Sequence, residues 1–381
     1  MASRRRQARA RSLLTELNRT AKGVAGFGPR AEKTGKVVKA SSKKITKSAS
    51  KSAAKAAARR AGTTTGKTAP PFATKTFVET CSRSPPPELV TILDFIRFAA
   101  TQFAGAKLAY GQGTFDPVEE ATFLVAEALG LPIDGIDPFL SARMTAAERR
   151  HIFALIDKRI RLRTPAAYLL NCAYLQGTRF YLDQRVIVPR SYLAELLFGD
   201  LFTGEEPLLD RHAVTRVLEV CTGSGCLAVL ACDIFPNAQV EATDISQAAL
   251  EVAAINVAEH DLEERVTLHN GDLFEPVRNA TYDLILANPP YVAAKALADM
   301  PPEFAHEPRS ALAGGTDGMD IVRRIVAEAG RHLNEDGGLL CEVGRGRPLL
   351  ERDYPSKDFL WLDTAHSSGE VFWMPTAALL A

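Results

Sequence analysis

Val217-Leu218-Glu219-Val220-Cys221-Thr222-Gly223-Ser224-Gly225-Cys226-Leu227-Ala228-Val229-Leu230 reads as a buried strand, a tight glycine turn and the opening of a helix. Glycines in such a turn let the backbone approach a ligand closely and leave the first N–H groups of the helix free. Alone, the pattern also fits an ordinary strand-to-helix turn, so its continuation carries the reading. A second strand, Gln239-Val240-Glu241-Ala242-Thr243, ends at Asp244, where an acid suits ribose hydroxyls. A third, Val266-Thr267-Leu268-His269, leads to Gly271-Asp272-Leu273-Phe274, a polar and an apolar side chain placed to frame a flat ring. A fourth apolar run, Leu284-Ile285-Leu286-Ala287, is followed by Asn288-Pro289-Pro290-Tyr291. In an open α/β sheet the carboxyl ends of the strands form the binding crevice, so these strand ends are expected to converge.

Two successive prolines fix φ and offer no N–H to neighbouring carbonyls. The Asn288 amide and the Pro289 carbonyl are thereby left to accept hydrogen bonds from a flat NH2 group, with Pro290 holding the turn and Tyr291 offering a ring for stacking. A glutamine amide and the exocyclic amine of adenine both present such a group, and the pocket alone leaves the two open. The turn lacks a full Gly-x-Gly-x-x-Gly, and nothing in the chain suggests a partner for hydride transfer, which argues against a nicotinamide enzyme.

With these motifs the chain, over residues 85–381, resembles the class I S-adenosylmethionine-dependent methyltransferases, and within them the protein-glutamine methyltransferases. The resemblance implies an α/β, Rossmann-like fold with a seven-stranded, mostly parallel sheet ending in an antiparallel edge, and S-adenosyl-L-methionine as cofactor. It implies that Glu219 and the turn Cys221, Thr222, Gly223, Ser224 and Gly225 lie near the methionine portion, Asp244 on the ribose, and Asp272 with Leu273 around the adenine. Asn288 would border both cofactor and substrate, with Asn288 and Tyr291 catalytic and Pro289 and Pro290 completing the substrate pocket. Four further segments are similar to the branch that acts on large-subunit ribosomal protein three: Ala109–Thr114, Val188–Ser191, Pro302–Pro308 and Gly314–Gly318. The release-factor branch typically has Gly where Cys221 stands and Pro-Glu-Thr after the Pro-Arg. The implied substrate is therefore a ribosomal protein, with a release factor, or adenine in nucleic acid, as alternatives. An RNA-binding protein with an idle site would not need Glu219, Asp244, Asn288 and Tyr291 together.

The same resemblance bears on the chemistry. An amide lone pair is delocalised into the carbonyl, so orienting the nitrogen in line with the methyl is the main task, and such positioning supplies on the order of 7 kcal/mol in favourable cases. Once methylated and positive, the nitrogen loses its proton easily, so no His–carboxylate pair is nominated. His306 is expected in a loop, and Arg190 as one wall of the site.

Charge divides the chain. Residues 1–80 carry 20 Lys or Arg against Glu16, Glu32 and Glu79, a net of +17, so with +1 overall the remainder is −16. The basic stretch, rich in Ala, Ser, Thr and Gly, has too few large apolar residues to bury a core and reads as a disordered extension over 1–84. Contact with RNA or ribosomal particles, a targeting role and a simply solvated tail all fit it. A helical substrate-recognition domain is expected over 85–170, opened by Pro85-Pro86-Pro87, with helix starts at Asp116-Pro117 and at Thr145 with Glu148. A hairpin from Tyr174 to Val188, turning at Gly177, and a helix over 191–202 would occupy residues 171–212, and the cofactor-binding sheet domain 213–381. Six cysteines without Cys-x-x-Cys units point to reduced thiols in the cytoplasm and to no metal. No stretch is apolar enough to span a membrane.

Overall fold

Asp116 and Thr145 open helices as their neighbours in sequence predict. In the computed structural model, which describes residues 84–381, Asp116 Oδ1 accepts from the N–H groups of Val118 (2.7 Å) and Glu119 (2.9 Å). Pro117 occupies the first turn, where its missing N–H costs nothing. Thr145 and Glu148 form a reciprocal capping box, and so do Thr91 and Asp94. These caps start α1 (Ile92–Gly105), α2 (Pro117–Ala128) and α3 (Ala146–Leu162). The basic extension expected over 1–84 lies outside the described residues, except for its last position.

Beyond these helices comes the hairpin, β1 (Cys172–Leu175) and β2 (Thr178–Tyr181). Gln176 and Gly177 both have positive φ, 50° and 73°, as a two-residue hairpin turn requires. The hairpin is shorter than its sequence suggests. Asp183 accepts from the Arg185 N–H (3.0 Å) and guanidinium, and this local turn takes the chain out of the ladder before Val188. The single helix expected over 191–202 is two pieces, α4 (Tyr192–Phe198) and one turn at Asp200–Thr203, because the extended backbone of Gly199 interrupts it.

Seven strands then build the sheet: β3 (Arg216–Val220), β4 (Gln239–Asp244), β5 (Val266–Asn270), β6 (Tyr282–Ala287), β7 (Leu333–Glu342), β8 (Leu360–Asp363) and β9 (Ser368–Pro375). Their order is β5-β4-β3-β6-β7-β9-β8. The first five are mutually parallel, and β9 and β8 run antiparallel at the edge as expected. The order reverses between β3 and β6, the switch point at which such sheets open a ligand crevice. Helices α5 (Cys226–Ile234), α6 (Gln247–Glu259) and α7 (Asp320–Glu328) cross over between strands.

The front helices are not a separate bead. Ala249 and Val252 of α6 belong to the same buried cluster as Phe95, Phe103, Leu124 and Ile152 of α1–α3. Ion pairs reinforce the junction. Arg159 of α3, 1% exposed, donates through Nε to both carboxylate oxygens of Glu120 on α2 (3.1 and 3.0 Å) and through Nη2 to Ala109 O (3.1 Å). Glu303, from the loop after β6, reaches back so that its Oε1 accepts from Ala109 N (2.9 Å) and Arg163 Nη2 (2.6 Å). No helix among the described residues is long and apolar enough to cross a membrane.

Candidate active site

Strand register decides which residues meet. Val220 of β3 lies opposite Thr243 of β4 and opposite Ala287 of β6. The next residues along these strands, Cys221, Asp244 and Asn288, therefore emerge side by side at the switch point. They line a cavity of about 330 Å³ together with Glu219, Thr222, Gly223, Ser224, Asp272 and Leu273. That size falls within the range of pockets that take small molecules. Pro290 also reaches this wall, whereas Gly225, Pro289 and Tyr291 do not.

The turn is held by carboxylates. Asp244 Oδ2 accepts from Gly223 N and Oδ1 from Ser246 N, both at 2.8 Å, and burial raises its pKa. Glu219 Oε2 accepts from Thr222 Oγ1 (2.6 Å) and from Ala228 N in the first turn of α5 (2.8 Å). Glu219 thus caps the helix as well as lining the cavity, and burial pushes its carboxyl up to about 8. Gly225 (φ 76°) packs against Ala253 of α6, where a Cβ would stand 3.0 Å from the alanine methyl. Cys221 (φ 59°) and Leu273 (φ 50°) adopt the left-handed region that glycine favours, so two non-glycine residues of the wall are held in strained backbone. Asp272 Oδ2 pairs with Arg324 Nη2 at 2.8 Å.

Asn288 follows the buried end of β6 and has no hydrogen-bond partner among the described residues, leaving its amide to a ligand. The ring of Tyr291 is not presented to the cavity for stacking. Its hydroxyl donates to Glu342 Oε1 at 2.7 Å, and its ring lies against Gly344. Arg190 forms a wall, as expected, with both guanidinium Nη atoms on Glu307 (2.6 and 2.8 Å). His306, expected in a loop, ends the short 3-10 helix Pro302–His306, half-buried between Leu162 O and Gln184. Among the described residues no group of His, Cys, Asp and Glu is arranged to hold a metal.

Some contributors carry no local sequence signal. Ile245 lines the cavity beside Asp244 and is 70% exposed, an apolar side chain kept open to a ligand face. Asn256, fully buried on α6, donates to Ser224 O (2.8 Å) and Tyr181 O (3.0 Å) and accepts from Tyr181 N (2.7 Å). It fastens the glycine turn to the hairpin. Ser310 and Ala311 supply a wall from the loop beyond Glu307.

The profile of the family described as "Methyltransferase small domain" matches residues 206–347. Ribosomal protein uL3 glutamine methyltransferase of Bradyrhizobium diazoefficiens is 56% identical over 297 residues, covering 77% of this chain and 92% of that protein. The proteins of the same name from Bordetella pertussis (50% over 284 residues, 74% and 94% covered) and Burkholderia pseudomallei (46% over 303 residues, 78% and 98%) are also similar. Likeness of that degree spans nearly the whole length of each relative, and on it this chain belongs to the family of ribosomal protein uL3 glutamine methyltransferases.

Proposed function

We propose that the protein transfers a methyl group from S-adenosyl-L-methionine to the side-chain amide nitrogen of a glutamine in large-subunit ribosomal protein uL3. The observation that carries the reading is the register-set neighbourhood of Asn288, an unpartnered amide, with Asp244 and Glu219 at one switch-point cavity. The cavity suits the cofactor: two carboxylates for a cationic, hydroxyl-bearing ligand, a glycine turn that leaves backbone space, and the apolar Ile245 and Leu273 for a flat ring. When bound, the cofactor supplies an electrophilic methyl. Asp244 serves the ribose, Glu219 and the Cys221–Gly225 turn the methionine end, and Asp272 with Leu273 the adenine. The Asn288 side-chain oxygen accepts from the target amide, turning its lone pair to the methyl. Residues 85–170 serve as the substrate-recognition segment ahead of the catalytic body, 213–381, in the cytoplasm.

Incubating the full-length protein and methyl-labelled cofactor with uL3, a release factor and adenine-containing DNA tests the assignment. Label on a uL3 glutamine supports it; label confined to the release factor or the DNA overturns it.

Glu219 gives a pH signature. Burial holds its carboxyl largely protonated at neutral pH, and a sulfonium cation beside it favours the ionised form, so binding expels a proton. A group whose pKa falls on binding makes affinity rise with pH below its free-state pKa and level off above it. Cofactor affinity should thus climb up to about tenfold per pH unit towards about pH 8. Calorimetry at about pH 6 and about pH 9, in buffers of different ionisation enthalpy, reads both trends; flat affinity without proton release would detach Glu219 from the cation.

The basic extension is assigned to RNA or ribosomal-particle contact, on the strength of its net +17 beside a body of −16. Deleting residues 1–80 is expected to leave turnover on isolated uL3 nearly unchanged and to flatten the salt dependence of RNA binding. Equal salt slopes for full-length and truncated protein would rule the tether out.

A further inference from the structure

Glu342, the last residue of β7, is 1% exposed and receives hydrogen bonds from two separate segments. Its Oε1 accepts from the Tyr291 hydroxyl at 2.7 Å. Its Oε2 accepts from the Ser191 hydroxyl at 2.7 Å and from the Tyr192 N–H at 2.9 Å. Burial raises the carboxyl's pKa, and these donors oppose the rise by favouring the ionised form. Tyr291 is also confined from behind. A Cβ on Gly344 (φ 51°) would stand 2.7 Å from the ring's Cε2, and one on Gly318 (φ 90°) 2.4 Å from the Tyr291 carbonyl oxygen. The ring is therefore seated on bare backbone, and its hydroxyl is tied to β7.

Between Tyr291 and Asn288 stand only Pro289 and Pro290, whose φ angles are fixed by their rings, so a shift of Tyr291 passes to Asn288 with little slack. On the other side, Ser191 caps α4 through Leu193 N (3.2 Å) and directly follows the wall residues Pro189 and Arg190.

We propose that Glu342 is a positioning residue: one buried carboxylate fixes the spacing between the Asn288–Tyr291 turn and the Pro189–Ser191 wall, and so sets the slot that receives the target amide. The inference rests on the assignment of Asn288 as the amide acceptor. Glu342 touches neither cofactor nor substrate in this scheme and acts through Tyr291 and Ser191.

The test uses full-length protein with uL3 as substrate and four variants, Glu342→Gln, Tyr291→Phe, Ser191→Ala and the Tyr291→Phe/Ser191→Ala double, with Asn288→Ala as reference. Glu342→Gln and Tyr291→Phe keep shape and packing, so both should fold with Tm close to wild type. Each is expected to lower kcat by about tenfold or more, since small misplacements of reacting groups are costly, while cofactor Kd stays within about threefold. Tyr291 and Ser191 share Glu342, so their losses in kcat should be non-additive, the double variant falling short of the product of the singles. Wild-type kcat in both Glu342→Gln and Tyr291→Phe overturns the proposal, as do losses that multiply or that follow only a lowered Tm. If Asn288→Ala stays active, the underlying pocket assignment fails; if it is inactive while Glu342→Gln and Tyr291→Phe match wild type, this inference alone fails.

Discussion

Replacing Asn288 by alanine is expected to lower methyl transfer by about 10² to 10³-fold, the cost of removing one preorganised polar group from a reacting centre. Cofactor affinity should stay within about tenfold, because the carboxylates and the glycine turn are untouched. The separation follows from how the site is made. Asn288 is delivered by β6, whose residues Leu284 to Ala287 are buried and pair with β3 on one side and β7 on the other. No hydrogen bond among the described residues ends on its amide, so the substitution should leave stability near wild type. Initial rates with labelled cofactor, paired with calorimetry, read the two quantities independently. Activity within about threefold of wild type would sink the assignment.

Arg159→Ala should cost the fold about 3–5 kcal/mol, the range for removing one partner of a buried ion pair. Glu120 and Glu303 would remain, 2% and 0% exposed, the first without its guanidinium and the second with only Arg163 in range. The Ala109 carbonyl loses a donor as well. Arg159→Lys retains the charge without the planar fork and should fall between the two. Urea unfolding followed by far-UV circular dichroism measures the loss; a midpoint indistinguishable from wild type for Arg159→Ala would show that the surroundings relax around the vacated site.

Local signals carried much of the architecture. Asp116 with Pro117, Thr145 with Glu148, and the Gly177 turn each announce an element through a few neighbours, and each stands where the sequence puts it. The seven-stranded sheet and its antiparallel edge are as the family pattern implies. Boundaries fared worse where a single residue overrides a periodic run, as Gly199 does within 191–202 and the Asp183–Arg185 turn does after Tyr181. At the site, residues adjacent to strand ends were legible because register brings strand ends together. Asn256 and Glu342 were not, since each acts through a partner remote in sequence: Asn256 on Tyr181 is 75 positions away and Glu342 on Ser191 is 151. Tyr291 was expected to offer its ring for stacking, yet it does not line the cavity and its hydroxyl is bonded to Glu342 of β7, an acceptor that only the folded chain supplies.

Glu303 and Glu307 belong to one short loop, yet the first is bonded to Arg163 at the end of α3 and the second to Arg190 in the cavity wall. The front helices and the catalytic floor are therefore riveted to the same few residues, and share a core through α6 besides. Those ties resist a change of spacing between the two. If the substrate is gripped on those helices, as proposed, the expected behaviour is that of a calliper: a glutamine would be modified when it lies one set span from the point of grip. Lengthening the target between grip and glutamine would spoil methylation although every contact surface remained intact.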